Sequence, residues 1–211
     1  MSRPRSRRAL LASAVTTAAV STGGFEHVSN ATNRPAFESG TIPADYYDCH
    51  SVTRPDPDVL TDDDALVTLP YPTPPSWTEK DDSSDHASSP VLVDSAAAYA
   101  TEFERAYRRN EFIARFGNET RTLSLRRTEH RTAAVGSATN ADAVMVAIRY
   151  NLATGTRHSA ADPRDEWDIR VTYYIDENVV LRARYDGVAE ELALEPDPRW
   201  EGDLVACFGR E

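Results

Sequence analysis

The residues able to do chemistry are few and scattered. Five histidines, His27, His50, His86, His130 and His158, stand too far apart for the short helical or strand spacings that make a metal site. Glu129-His130, and His158 with Asp162, are the nearest acid and histidine pairs, and an acidic chain makes such pairs by chance. No Gly-x-Ser-x-Gly, His-Glu-x-x-His or phosphate-binding glycine loop is present, and Asp62-Asp63-Asp64 lacks the glycine and the closing glutamate of a calcium loop. No catalytic residue, metal site or cofactor is therefore expected. Cys49 and Cys207 are the two cysteines, and an even pair predicts a disulfide if the chain leaves the reducing cytoplasm; the alternative is two separate buried thiols.

Two further sets of side chains could bind rather than react. Between Arg105 and Arg131 eight arginines face three glutamates, a local balance of +5 in a chain whose net charge is −11. Arg105, Arg108, Arg109, Arg126 and Arg127 are the candidate anion patch, for an acidic glycan or a phosphorylated ligand; internal pairing with acidic neighbours is the competing reading. Tyr99, Tyr107, Tyr150, Trp167 and Tyr173 could line a pocket with apolar bodies and polar tips, or simply fill the core. Asn30-Ala31-Thr32 and Asn118-Glu119-Thr120 are glycosylation sequons; Asn118 also suits a helix end.

The elements that must position these residues divide the chain into three. Residues 1–24 join a basic start to a mildly apolar stretch, Ala9 to Val20, that ends in small residues, the layout of an export signal. Ser6-Arg7-Arg8-Ala9-Leu10-Leu11 resembles the twin-arginine motif, and the resemblance implies Arg7 and Arg8 as the recognised pair, the twin-arginine translocase as partner, and a secreted or cell-surface location, with retention by an uncleaved signal as a variant. Residues 25–90 form an irregular, Pro-rich acidic arm and linker. Residues 91–211 read as one globular domain. Asp94 or Ser95 caps a helix running to about Phe116, with Tyr99, Phe103, Ala106, Tyr107, Asn110 and Ile113 on one face and Gly117-Asn118 ending it.

After the helix the period becomes two, predicting strands over Thr120 to Arg127, Ala133 to Ser137, Ala143 to Leu152, Trp167 to Ile175 and Val179 to Tyr185, with Leu204 to Phe208 fit for a last one. Trp167, Ile169, Val171, Tyr173 and Ile175 are expected on one buried face and Asp168, Arg170 and Thr172 toward water, before a hairpin turn at Asp176-Glu177-Asn178. The fold class is α+β, one long helix on a curved antiparallel sheet of four to five strands; this order resembles the cystatin-like and nuclear-transport-factor-like rolls, which host many functions.

One lysine, Lys80, beside 34 acidic residues resembles the composition of proteins from extreme halophiles, haloarchaea above all, and the helix Tyr99 to Glu111 is similar to uncharacterised secreted haloarchaeal proteins. Such a charge repels nucleic acid and anionic membranes, so neither is an expected partner. The expected function is an exported, halophilic, non-enzymatic extracellular or cell-surface binding module. A cell-envelope structural or assembly protein is the first alternative, and a small-pocket hydrolase or isomerase the second.

Overall fold

A computed structural model describes residues 42, 46–58, 60–75, 90–137, 140–158, 164–185 and 191–208, all within one compact unit, Pro35–Glu211. Arg7, Arg8, Asn30, His27, His86, Asp162 and the linker from 76 to 89 lie outside the described residues.

The helix α1 spans Pro90–Phe116, starting several residues before the expected Asp94 cap. Proline tolerates a first helical turn because its missing N–H would have no partner there. Gly117, at φ 52°, ends α1 in the left-handed conformation that costs a residue without Cβ little. Five strands follow as an antiparallel meander in sequence order: β1 Thr120–Ser137, β2 Asn140–Thr156, β3 Arg164–Asp176, β4 Val179–Tyr185 and β5 Asp203–Cys207. The fold is thus α+β, one long helix on an open five-stranded sheet.

The two strands expected at Thr120 to Arg127 and Ala133 to Ser137 are one. The polar stretch between them, Thr128 to Thr132, reads as a loop, yet its backbone continues the ladder to β2 through an irregularity at Arg127/Glu129. Because β1 is a sheet edge, charged residues there are tolerated and discourage pairing with a second sheet.

Alternation along β3 also departs from expectation. Thr172, expected toward water, is buried, as are Tyr174 and Asp176. The reason is a second apolar layer. One sheet face packs α1 through Ala96, Ala100, Phe103, Val146, Ile148, Tyr150, Val171 and Tyr173. The other face carries Ala143, Met145, Tyr174, Val179, Leu181 and Leu204, covered by Ile42, Tyr46, Tyr47 and Val52. A sheet buried on both sides loses its polar alternation.

The residues that cover this second face are pinned by buried polar groups. Asp176 accepts hydrogen bonds from the N–H groups of Ile42, Asn178 and Val179 and from the Tyr174 hydroxyl. Burial nonetheless raises its carboxyl above the ordinary range, against those bonds. Thr53 N donates to Leu204 O at 2.8 Å beside β5. Cys49, in the 3-10 turn Cys49–Ser51 capped by Asp48, is disulfide-bonded to Cys207 at the end of β5, with Cα atoms 5.6 Å apart. Further on the chain crosses to α1, where Asn110 accepts from Leu69 N and donates to Leu69 O, both at 3.0 Å, as a strand neighbour would.

Candidate functional site

Two polar constellations stand on this frame, back to back across the sheet. The first is internal. Glu104, on the sheet side of α1, is fully buried. Its Oε1 accepts from Tyr150 OH at 2.5 Å and Arg182 Nη2 at 2.8 Å; its Oε2 accepts from Tyr173 OH at 2.5 Å and Arg182 Nε at 2.8 Å. Three strands, β2, β3 and β4, thus each send one side chain to a single carboxylate, Arg182 donating twice. The Arg182 guanidinium also lies over the Tyr107 ring, 4.2 Å from its centroid.

Burial opposes charge on Glu104, but the Arg182 guanidinium and the hydrogen bonds from Arg182, Tyr150 and Tyr173 outweigh it and hold the carboxyl below its ordinary value. Burial, and then the Glu104 charge, push the Tyr150 and Tyr173 phenols well above theirs. With four donors around two oxygens the carboxylate has no capacity left for a substrate, so the cluster joins helix to sheet rather than catalysing.

The second constellation is open to solvent. β2 and β3 pair regularly up to Tyr150↔Ile169 and resume at Leu152↔Glu166, so Trp167 and Asp168 together oppose Asn151. This two-against-one count is a β-bulge. Asp168 adopts φ 53°, a left-handed conformation that aspartate visits more readily than most residues, and its N–H donates to Asn151 Oδ1 at 3.1 Å. The extra residue reverses the parity of the strand. Trp167 therefore does not share the buried face of Ile169 but stands 68% exposed.

Beside Trp167 a groove of about 300 Å³ is lined by Ser124 and Arg126 of β1, Asn151 to Ala153 of β2, and Asp165 and Glu166 of β3. Leu123 and Leu125 pack toward α1, so by alternation Ser124 and Arg126 face away from it. The groove floor is tied to the internal cluster through neighbours in sequence. Tyr150, bonded to Glu104, precedes Asn151; Glu166, paired with Arg108 at 3.1 Å, precedes Trp167.

The candidate arginines separate accordingly. Arg105 pairs with Glu102 at 2.5 Å, Arg108 with Glu111 and Glu166, Arg109 donates to Val67 O, and Arg127 donates to Thr101 Oγ1. Arg126 alone of the five lines the groove and has no partner among the described residues. Elsewhere Asp62 takes Arg121 and Arg157 at 3.1 and 2.6 Å, and a hydrogen bond from Asp64 N, ahead of those two arginines, keeps its carboxyl low.

The candidate pocket aromatics are likewise divided. Tyr150 and Tyr173 belong to the Glu104 cluster, Tyr107 lies under Arg182, and Tyr99 packs near Phe103 with its hydroxyl unpartnered among the described residues. Trp167 faces water on the other side of the sheet. His130 is exposed, and His158, exposed too, has Nε2 3.8 Å from Glu119 Oε1. Asn118 is exposed, its Nδ2 donating to Thr61 Oγ1 at 3.3 Å. Among the described residues no three His, Cys, Asp or Glu side chains are grouped to hold a metal ion.

Sequence reasoning missed Glu104, Arg182 and the bulge. For the first two the available signal was a single charge set among apolar neighbours, Arg182 between Leu181 and Ala183 and Glu104 one turn after Ala100. No family of known proteins, no curated protein and no solved structure matches the chain.

Proposed function

We propose that the protein is an exported, non-enzymatic binding module suited to very salty surroundings, and that the Trp167 groove is its binding face. The observation that carries this reading is the indole itself. A large apolar ring is held in water by a bulge with a left-handed aspartate, beside Arg126 and Asp165, which have no partner among the described residues. Bulges re-aim side chains, and strained backbone tends to gather where a protein binds. The internal Glu104 cluster, closed on all sides, supports binding over catalysis. The twin-arginine-like start, with Arg7 and Arg8, and the net charge of −11 support the compartment and the salt.

The test is a screen in molar salt on protein with nitrogen-15 in its indoles. Oligosaccharides, nucleotides, amino acids and inorganic anions are added singly, and both the Trp167 indole cross-peak and the fate of the ligand are followed. The expected result is that one class moves the cross-peak and is recovered unchanged. Turnover of any ligand, or a cross-peak that none of them moves, would overturn the reading. Export is tested separately. The double change Arg7→Lys and Arg8→Lys should leave the precursor in the cytoplasm, because the guanidinium pair and not charge alone is read.

A further inference from the structure

We infer that the groove is a subsite for a neutral saccharide, whose pyranose ring stacks on Trp167 while its hydroxyls bond to Asp165, Arg126, Asn151 and Ser124. This rests on the binding reading above and names its ligand class. The indole of Trp167 presents an exposed face to water. An exposed aromatic face is matched by a flat, weakly polarised C–H surface, which one side of a pyranose presents, and the edge of the same sugar carries hydroxyls.

The groups around the ring fit that edge. Asp165 is a carboxylate acceptor with no partner among the described residues, and Arg126 is a guanidinium donor in the same condition. Asn151 commits its Oδ1 to the Asp168 N–H, which leaves its Nδ2 to donate, and Ser124 can do either. A pair of neighbouring hydroxyls, each donor and acceptor at once, satisfies such a mixed set. A phosphate or carboxylate carries negative charge and would be repelled by Asp165 and Glu166.

Solvent conditions point the same way. Molar salt shortens the screening length to about 3 Å, which weakens capture of an anion by one arginine but leaves stacking and short hydrogen bonds intact. The volume of about 300 Å³ stands at the small end of ligand pockets and suits a single ring with part of its neighbour. The set is also held in place from behind. The Arg108 contact at 3.1 Å fixes Glu166, the Asn151 bond at 3.1 Å fixes the bulge, and both lie next to the groove residues on their strands.

Maltotriose, cellotriose, mannotriose and triacetylchitotriose are titrated into the full chain in molar sodium chloride, with trigalacturonate and inorganic phosphate as anionic arms. At least one neutral trisaccharide should shift the Trp167 indole cross-peak, which is assigned by its loss in Trp167→Phe. By isothermal titration calorimetry, which does not need the indole signal, Trp167→Ala should weaken that sugar by about tenfold or more, and Asp165→Asn and Arg126→Gln by about threefold each, with melting temperatures unchanged. A cross-peak moved only by phosphate or trigalacturonate overturns the saccharide class and leaves the binding reading standing. Neutral sugar binding that survives Trp167→Ala overturns the site. A cross-peak that no probe of any class moves overturns both.

Discussion

Replacing Arg182 by methionine keeps an unbranched stem over Tyr107 and removes the cation that is hydrogen-bonded to Glu104. The carboxylate then stays buried with two phenolic donors in place of four hydrogen bonds. Removing one member of a buried ion pair costs about 3–5 kcal/mol, mostly the desolvation of the charge left behind. The sign with pH follows from Glu104. In the parent its carboxyl lies below the ordinary 4.5, so its contribution is full above that value and is lost as pH falls through the lowered one. In Arg182→Met burial governs and raises the carboxyl, so stability is lost as pH rises through the raised value. The gap between parent and variant must therefore be widest near neutrality and shrink in acid. Urea unfolding in molar salt, followed by circular dichroism at neutral and mildly acid pH, measures it. Joint replacement by Glu104→Leu, Arg182→Met, Tyr150→Phe and Tyr173→Phe, which orphans no polar group, should return to within about 2 kcal/mol of the parent. A gap below about 1 kcal/mol at neutral pH, or one that widens in acid, refutes the reasoning.

Cys49→Ser opens a loop of 158 residues, for which the chain-entropy model gives about 5 kcal/mol; hydrogen exchange should show Thr53 N losing protection ahead of β2 and β3, and equal protection would count against the staple. Asp168→Val must hold a branched residue at φ 53° and should cost about 1–2 kcal/mol, whereas Asp168→Gly should change stability by less than about 1 kcal/mol. Acrylamide quenching in a Trp77→Phe, Trp200→Phe background reads the same bulge, and Trp167 should become less accessible in the valine variant alone. Removing salt should lower the melting temperature, since repulsion among the carboxylates of a −11 chain is then unscreened; a flat or rising profile would contradict this.

Whatever rests on a local rule was legible in the amino-acid sequence. The apolar stripe of α1 from Tyr99 to Ile113, its end at Gly117, the Asp176-Glu177-Asn178 turn and the Cys49–Cys207 bond each follow from spacing, a backbone preference or an even pair of cysteines. What escaped along β3 depends on the second layer. Parity along β3 sorts residues into inside and outside only if one face meets water, and here Ile42, Tyr46, Tyr47 and Val52 cover the part of the sheet where Tyr174 continues the row of Thr172 that parity assigned to solvent. Arg182 escaped for a different reason: it shares the parity of Val180 on the helix face, and only the Glu104 carboxylate across from it explains a charge buried there.

The groove shows the limit most clearly. Trp167 and Ile169, two apart and both apolar, look like one face of one strand, and no residue type announces otherwise, since Asp168 is as ordinary in a regular strand's solvent row as in a left-handed bulge. Only the register against Asn151, two residues opposite one, turns Trp167 outward. A residue's face is thus set by its partner strand. The same letter that predicted a buried pocket wall is, one register step later, the most exposed ring at the candidate site.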